Sequence, residues 1–204
     1  MEIAFDTLSS GEIYHAMTQT IVPRPIAWVL SDNGNESFNL APFSYFNAVC
    51  SAPPLIMFSV GKKPDGSDKD TLHNIQKRGK FVVHVPSASM ADVVTQTAQT
   101  LPHGESELAH VNLPLTSFAD FALPRLADCH IAMACTLYEV KEIGDVPQRL
   151  IFGKIESLYL SEDVAGADSK GRLKVNTASL DPLARLGASE YASLGEVFTH
   201  KRPE

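Results

Sequence analysis

In the first third of this chain the apolar residues gather in short runs bounded by proline, glycine and turn-forming polar residues, a pattern of strands. Ile26 to Leu30 is the first such run. Ser31-Asp32-Asn33-Gly34-Asn35 after it is dense in turn formers, which predicts a hairpin into a second strand paired with the first. That second strand spans Asn39 to Val49, where amides and a hydroxyl interleave with aromatic and small apolar residues. Pro53-Pro54 breaks the chain before a further apolar run, Leu55 to Val60, which ends in the polar, glycine-containing loop Gly61 to Asp68. That loop is long enough to shape a site.

Helical signals are short. Asp70 reads as an N-cap, Leu72, Ile75 and Gln76 share one helix face, and Gly79 reads as the C-terminal stop. Phe81 to Val85 returns as a strand. Ser89 with Asp92 three residues later resembles a capping box, and Val93, Val94 and Ala98 predict a second helix to about Thr100, ended by Pro102-His103-Gly104. Glu107-Leu108-Ala109 adds a helical turn, and Pro114 and Pro124 make the segment from Leu113 to Leu126 irregular or edge-like. Asp128 to Glu142 and Arg149 to Leu160 read as strands, although Ala132-Met133-Ala134 also suits a helix. Ser161 to Lys170 reads as a surface loop, Leu173 to Asn176 as a short strand, and Asp181-Pro182 as the start of a terminal helix over Pro182 to Leu186. Strands in this number, with short helices between and after them, point to a closed or nearly closed antiparallel barrel.

Composition narrows the function classes. The chain has 204 residues, 44% hydrophobic and 20% charged, which fits a folded globular protein and one domain over residues 1–204. A net charge of -7 without a basic run argues against a nucleic-acid partner, because phosphate backbones demand clustered Lys and Arg. Met1 to Asp6 lack a basic segment followed by an apolar core. No stretch approaches the roughly 18 uninterrupted apolar residues of a membrane span, so a cytoplasmic location without membrane contact is expected. Cys50, Cys129 and Cys135 form an odd count, which favours reduced thiols over a disulfide framework. On a strand Cys129 and Cys135 would face one way, as buried small hydrophobes rather than ligands, and no metal site is expected.

The candidate chemistry centres on the second strand. Asn39, Ser44 and Asn47 offer donors and acceptors, Ala41 and Ala48 allow close approach, and Pro42, Phe43, Tyr45 and Phe46 complete a wall for a planar ligand. The same residues also describe an ordinary buried strand with satisfied polar groups. Ser59 ends its apolar run where a hydroxyl meets either a ligand or solvent, Trp28 reads as core, and His73 and His84 read as structural. There is no Gly-x-Gly-x-x-Gly after a strand, no Gly-x-Ser-x-Gly elbow and no His-Glu-x-x-His, so a Rossmann domain, a serine hydrolase and a zinc protease lack their usual signals.

Four motifs follow one another along the chain: Pro23-Arg24-Pro25-Ile26-Ala27-Trp28-Val29, the Asn39 to Val49 stretch, Pro53-Pro54-Leu55-Ile56-Met57-Phe58-Ser59, and Lys69-Asp70-Thr71-Leu72-His73-Asn74-Ile75. Together they resemble the flavin reductase-like family of FMN-binding split barrels. The resemblance runs from Pro23 to Phe198 and includes a tail, Leu183-Ala184-Arg185-Leu186-Gly187, then Glu190-Tyr191-Ala192 and Leu194-Gly195. It implies a mainly β, antiparallel split barrel of Greek-key type with a few short peripheral helices. It also implies FMN as cofactor, a homodimer with flavin near the subunit interface, and hydride transfer from NADH or NADPH to flavin. Such transfer needs no protein nucleophile, no catalytic side chain and no metal, only stacking of two rings and exclusion of competing reactions. A non-enzymatic, flavoredoxin-like FMN-binding or electron-carrier protein would need the same site, and the sequence does not separate the two.

Set beside this resemblance, the Asn39 to Val49 stretch suits the flavin ring, while Lys69, Thr71 and the start of the following helix suit its phosphate. Asp70 would repel a phosphate and is expected to act as a cap alone; in the plainer alternative all three residues start a surface helix. Arg24, held between two prolines, either reaches a phosphate or ribityl hydroxyl or stands exposed at a strand entry. Arg185 and Tyr191 in the tail are expected to close the site, their own or a partner's.

Overall fold

The computed structural model describes residues 1–201 and 203. From Ala27 to Leu160 the chain forms β1 (Ala27–Asp32), β2 (Phe38–Phe43), β3 (Phe46–Ser51), β4 (Pro54–Val60), β5 (Lys80–Val85), β6 (Leu115–Phe118), β7 (Phe121–Leu126), β8 (Ile131–Ile143) and β9 (Gln148–Leu160). Its longer helices are α1 (Ser10–Thr20), α2 (Asp70–Arg78) and α3 (Ala91–Gln96). Seven strands make one antiparallel sheet in the order β2-β1-β5-β8-β9-β4-β3, and β6 and β7 form a separate hairpin.

β1 and β2 pair as the turn-rich Ser31 to Asn35 segment predicts, from Ala27 opposite Phe43 to Asp32 opposite Phe38. β2 and β3 lie at opposite edges of the sheet, yet only Ser44 and Tyr45 separate them in the chain. Two edges joined so closely can meet only if the sheet curls round on itself. The corner is pinned where Ser59 N–H donates to the Tyr45 carbonyl at 2.9 Å. The result is the mainly β, antiparallel split barrel that was expected, closed at this corner and left with β3 as an edge whose residues Asn47 to Ser51 are exposed.

Curling creates an interior. Val29, Phe43, Phe58, Phe81, Cys135 and Ile151 come from six different strands and share one cluster with Leu72 and Ile75 of α2. Trp28 and Leu30 on the other face of β1 pack with Val82, Val94, Leu126 and Ala132. β1 is therefore buried on both faces, which is why its sequence reads as a continuous apolar run rather than an alternation. The Phe81 ring occupies the space beside Gly153, where an added Cβ would run into its Cζ, so glycine suits the position opposite this ring.

The structure corrects several expectations. Asn39 to Val49 is two strands, not one, because the chain turns the barrel corner at Ser44-Tyr45. The N-cap of α2 is Lys69 and not Asp70, which becomes the first helical residue; Gly79 does end the helix, with a left-handed φ of 71° that suits glycine. Ser89 and Asp92 form no capping box; a short 3-10 turn over Ala88–Met90 leads into α3, which has no side-chain cap and ends at Gln96. Leu113 to Leu126 is irregular and edge-like as expected, yet it does form strands: β6 and β7 pair as a two-stranded hairpin whose register shifts between Thr116 and Phe118, and Pro124 takes no place among the paired residues. Part of the Ser161 to Lys170 loop is a strand, Ala165–Ala167, paired with Leu173–Val175. The terminal helix lies over Thr177–Leu180 rather than Pro182 to Leu186; Asp181 takes a left-handed φ of 39° and ends it, and Ala184–Arg185 then pair with Tyr191–Ala192. Cys129 and Cys135 do not share a face: Cys129 precedes β8, a register shift falls between Ala134 and Cys135, and the two thiols enter different clusters. Helix α1 had no sequence expectation, although Ser9 and Glu12 carry a legible capping box that the structure forms.

Candidate functional site

Three adjoining cavities gather around Pro42 at the end of β2. A deep one of about 60 Å³ is lined by Asn39, Ala41, Lys63, Asp70, Glu107 and the segment from Thr97 to Leu101, with Lys69 and Thr71 at the α2 terminus. A wider one of about 370 Å³ is lined by Tyr14, Phe43, Ser44, Tyr45, Ser59, Gln148 and again Lys69. A third of about 240 Å³ lies between Ser44, Tyr14, Val94, Arg185 and Tyr191. Pro42 lines all three, and Lys69 bridges the first two.

The deep cavity is built from the start of α2. No side chain caps that helix; Leu72 and His73 N–H bond back to the Lys69 carbonyl, leaving its first amide donors for a ligand or solvent. Asn39 Nδ2 donates to Thr71 Oγ1 at 2.8 Å, with both side chains buried. Lys69 Nζ sits 5.5 Å from the centroid of the Phe43 ring, and among the described residues no carboxylate pairs with it. Burial, aided by the nearby Lys63 charge, pulls the Lys69 ammonium below the usual lysine range. This is a cation held in waiting beside a helix N-terminus, which suits an anion.

Asp70 does not spoil that field. Its carboxylate turns to Lys63 Nζ at 2.8 Å and to His103 Nδ1. Burial opposes its ionisation, but the hydrogen bonds from Lys63 and His103 outweigh burial and hold the carboxyl below its ordinary range. The negative charge is thus spent on Lys63, and Lys69 keeps its own.

Of the remaining expected site residues, Arg24 is neither exposed nor free. It is buried, with Nη1 donating to the Thr18 and Ile21 carbonyls and Nη2 to the Leu186 carbonyl, each at 2.7 Å, while Nε lies 3.5 Å from Ser44 Oγ. It ties the end of α1 and the tail to the barrel. Arg185 stacks 4.6 Å from the Tyr191 ring centroid, and Tyr191 Oη meets Thr95 Oγ1 at 2.9 Å, so the tail forms one wall of the third cavity. Asn47 lines a separate depression with Arg24, Ser44 and Met57, its Oδ1 turned back to the Ala48 amide. Ala48 stands exposed on β3 outside these linings.

Sequence reasoning missed Lys63, Tyr14, Glu107 and the Thr97 to Leu101 wall. The capping box ahead of α1 was a signal for the helix carrying Tyr14, but nothing local marked the others. Trp28 and His84 are structural: the indole donates to Thr97 Oγ1 at 2.8 Å, and His84 bridges the Trp28 carbonyl and the Leu126 amide. Burial holds the His84 imidazole neutral, its pKa pushed down to about 4.

Residues 18–182 match the flavin reductase like domain. The chain belongs to the flavin reductase-like family. It is similar to nitrilotriacetate monooxygenase component B from Bacillus cereus, with 33% identity, 98% of each chain covered and a TM-score of 0.88. It is also similar to the 2-nitrobenzoate 2-nitroreductase of Pseudomonas fluorescens, with 30% identity, 100% of this chain and 96% of the other covered and a TM-score of 0.85. An uncharacterized protein of Halalkalibacterium halodurans is 33% identical over 207 residues, covering 100% of this chain and 97% of its own. Among the described residues no helix is long and apolar enough to cross a membrane.

Proposed function

We propose that this chain is an FMN-dependent NAD(P)H:flavin reductase acting as a cytoplasmic homodimer of single-domain subunits. The observation that carries this reading is Lys69, unpaired among the described residues, beside the uncapped start of α2, in a cavity that shares Pro42 and Lys69 with a slot walled by Phe43 and Tyr45. An anion and a flat ring need those two environments in that order. Family membership supports the same cofactor, and the similar proteins named as a monooxygenase component and a nitroreductase support redox work.

Bound FMN would supply the hydride acceptor. Lys69, Thr71 and the first amides of α2 hold the phosphate; Pro42, Phe43 and Ser44 position the ring edge; Tyr14, Arg185 and Tyr191 border the third cavity and limit water there.

Anaerobic stopped-flow mixing of the FMN-loaded protein with NADH and with NADPH tests the reading. Rapid bleaching of the oxidised flavin absorbance with either nucleotide is expected. Bound flavin that neither nucleotide bleaches would make the protein an electron carrier, and failure to take up FMN at all would remove the flavin assignment.

A further inference from the structure

Glu107 lies in the same deep cavity as Lys69 and Thr71, on a short 3-10 turn, Glu107–Ala109, packed against β2. It is buried at 7% exposure, and its Oε2 accepts from the Leu40 amide at 2.8 Å. No positive partner balances it among the described residues: Lys63, the nearest cation acting on it, is already engaged by Asp70, whose carboxylate also faces Glu107. Lys69 lines the cavity further along and His103 sits on the far side of Asp70; β2 itself, Phe38–Phe43, contributes no titratable group. With Lys63 and Asp70 cancelling, the deep cavity is positive when Glu107 carries a proton and neutral when it does not.

Building on the reading of this cavity as the phosphate end of the cofactor site, we propose that Glu107 makes anion capture proton-linked: the phosphate monoester enters together with a proton taken up by the Glu107 carboxylate. Two anionic groups confined in one small cavity repel, and the carboxylate is the one that can be neutralised without losing a ligand contact. The Leu40 amide bond survives protonation, because the remaining carboxyl oxygen still accepts it. The balance is simple: one proton leaves solvent, one carboxylate becomes a carboxylic acid, and the ester keeps its charge. Burial, chiefly, raises the Glu107 pKa to about 7, so the linkage operates near neutral pH. Lys69 and Thr71 thus select the phosphate, and Glu107 makes its affinity fall as the solution becomes alkaline.

The test is fluorescence titration of the protein with FMN and with riboflavin from pH 6 to pH 8.5, on wild type and Glu107→Gln. A phosphate that shifts Glu107 by one unit gives a Kd for FMN that rises about tenfold across this range in wild type. Riboflavin, lacking the phosphate, should show no such rise, and Glu107→Gln should flatten the FMN profile. The phosphate's own ionisation acts in the opposite sense and is common to both proteins. Calorimetry of wild type alone, in two buffers of different ionisation enthalpy, should read roughly half a proton taken up per FMN at pH 7. Tight FMN binding with the same pH profile in both proteins, or no proton uptake, overturns this inference and leaves the flavin reading intact. Absence of FMN binding at every pH overturns both.

Discussion

Asn39 Nδ2 donates a 2.8 Å hydrogen bond to Thr71 Oγ1, and this one contact ties a barrel strand to the first turn of α2. Because the Thr71 oxygen is the acceptor, its own hydrogen is free to point into the cavity that both residues line. A strand edge and a helix terminus are thereby held at a fixed spacing around that cavity.

Thr71→Val keeps the shape but removes both roles. FMN affinity should fall about tenfold, and stability should drop by about 1–3 kcal/mol because Asn39 loses its acceptor in a buried place. Thr71→Ser should restore both. Lys69→Ala should weaken FMN by about 1.5–3 kcal/mol while leaving riboflavin almost unchanged. Equal losses for the two flavins in fluorescence titrations would remove Lys69 from the phosphate.

Ser44 borders the wide and third cavities, and its contact with Arg24 Nε, at 3.5 Å, is at the limit of a hydrogen bond. Ser44→Ala should therefore shift the flavin midpoint potential or reduction rate while costing no more than about 0.5–1.5 kcal/mol of stability. A lowered melting temperature with unchanged flavin affinity, potential and rate would make Ser44 a purely structural residue.

Arg24 satisfies three carbonyls while buried, two just before it at the end of α1 and one in the distant tail. Arg24→Gln should cost about 3 kcal/mol or more, since each hydrogen bond to a charged group is worth about 1.5–3 kcal/mol. Arg24→Lys should recover little, because an ammonium does not reproduce the guanidinium fork. Urea unfolding midpoints read both, and a midpoint within error of wild type would show that α1 and the tail dock without it.

Two buried groups oppose each other in the pH dependence of stability. The neutral His84, with a folded pKa of about 4, makes stability rise with pH between about 4 and 6.5, where the unfolded chain binds the extra proton. Glu107, with a folded pKa of about 7, acts in the opposite sense from about 4.5 to 7, where the folded chain binds it. Glu107→Gln removes the second effect. Its stability relative to wild type should climb with pH by at most about 1.4 kcal/mol per unit in that window and then level off. Parallel curves for the two proteins in urea titrations would place the Glu107 titration outside this range.

β3 is an exposed sheet edge, with Val49 at 48% exposure. Sedimentation at micromolar concentration should show a two-fold dimer that buries this edge. Val49→Lys should shift it to monomer with an intact barrel by circular dichroism. A wild-type monomer that still binds FMN would defeat the dimer.

Local chemistry carried much of the fold. The β1–β2 hairpin, β4, β5, β9 and the Gly79 stop of α2 were legible because each rests on a run of apolar residues or on one turn residue whose backbone preference acts alone. The tail was not: Asp181-Pro182 looks like a helix start, but Leu183 is drawn into the core and the Leu183 amide bonds to the Pro86 carbonyl, so tertiary pairing overrode the local signal.

For the site, the sequence by itself determined which residue types were at hand: the polar and aromatic positions of β2, and Lys69 with Thr71 at the mouth of α2. Only the tertiary structure decided their partners. Arg24 and Lys69 are equally cationic as letters, yet three carbonyls consume the first, while the second lies over an aromatic face and, among the described residues, pairs with no carboxylate. The Asp70 carboxylate is engaged by Lys63 and His103, and the Glu107 carboxyl is raised chiefly by burial against β2, neither of which the local sequence around them announces. A charge's availability depends on what surrounds it in space, and that is set when the sheet curls, after local sequence has had its say.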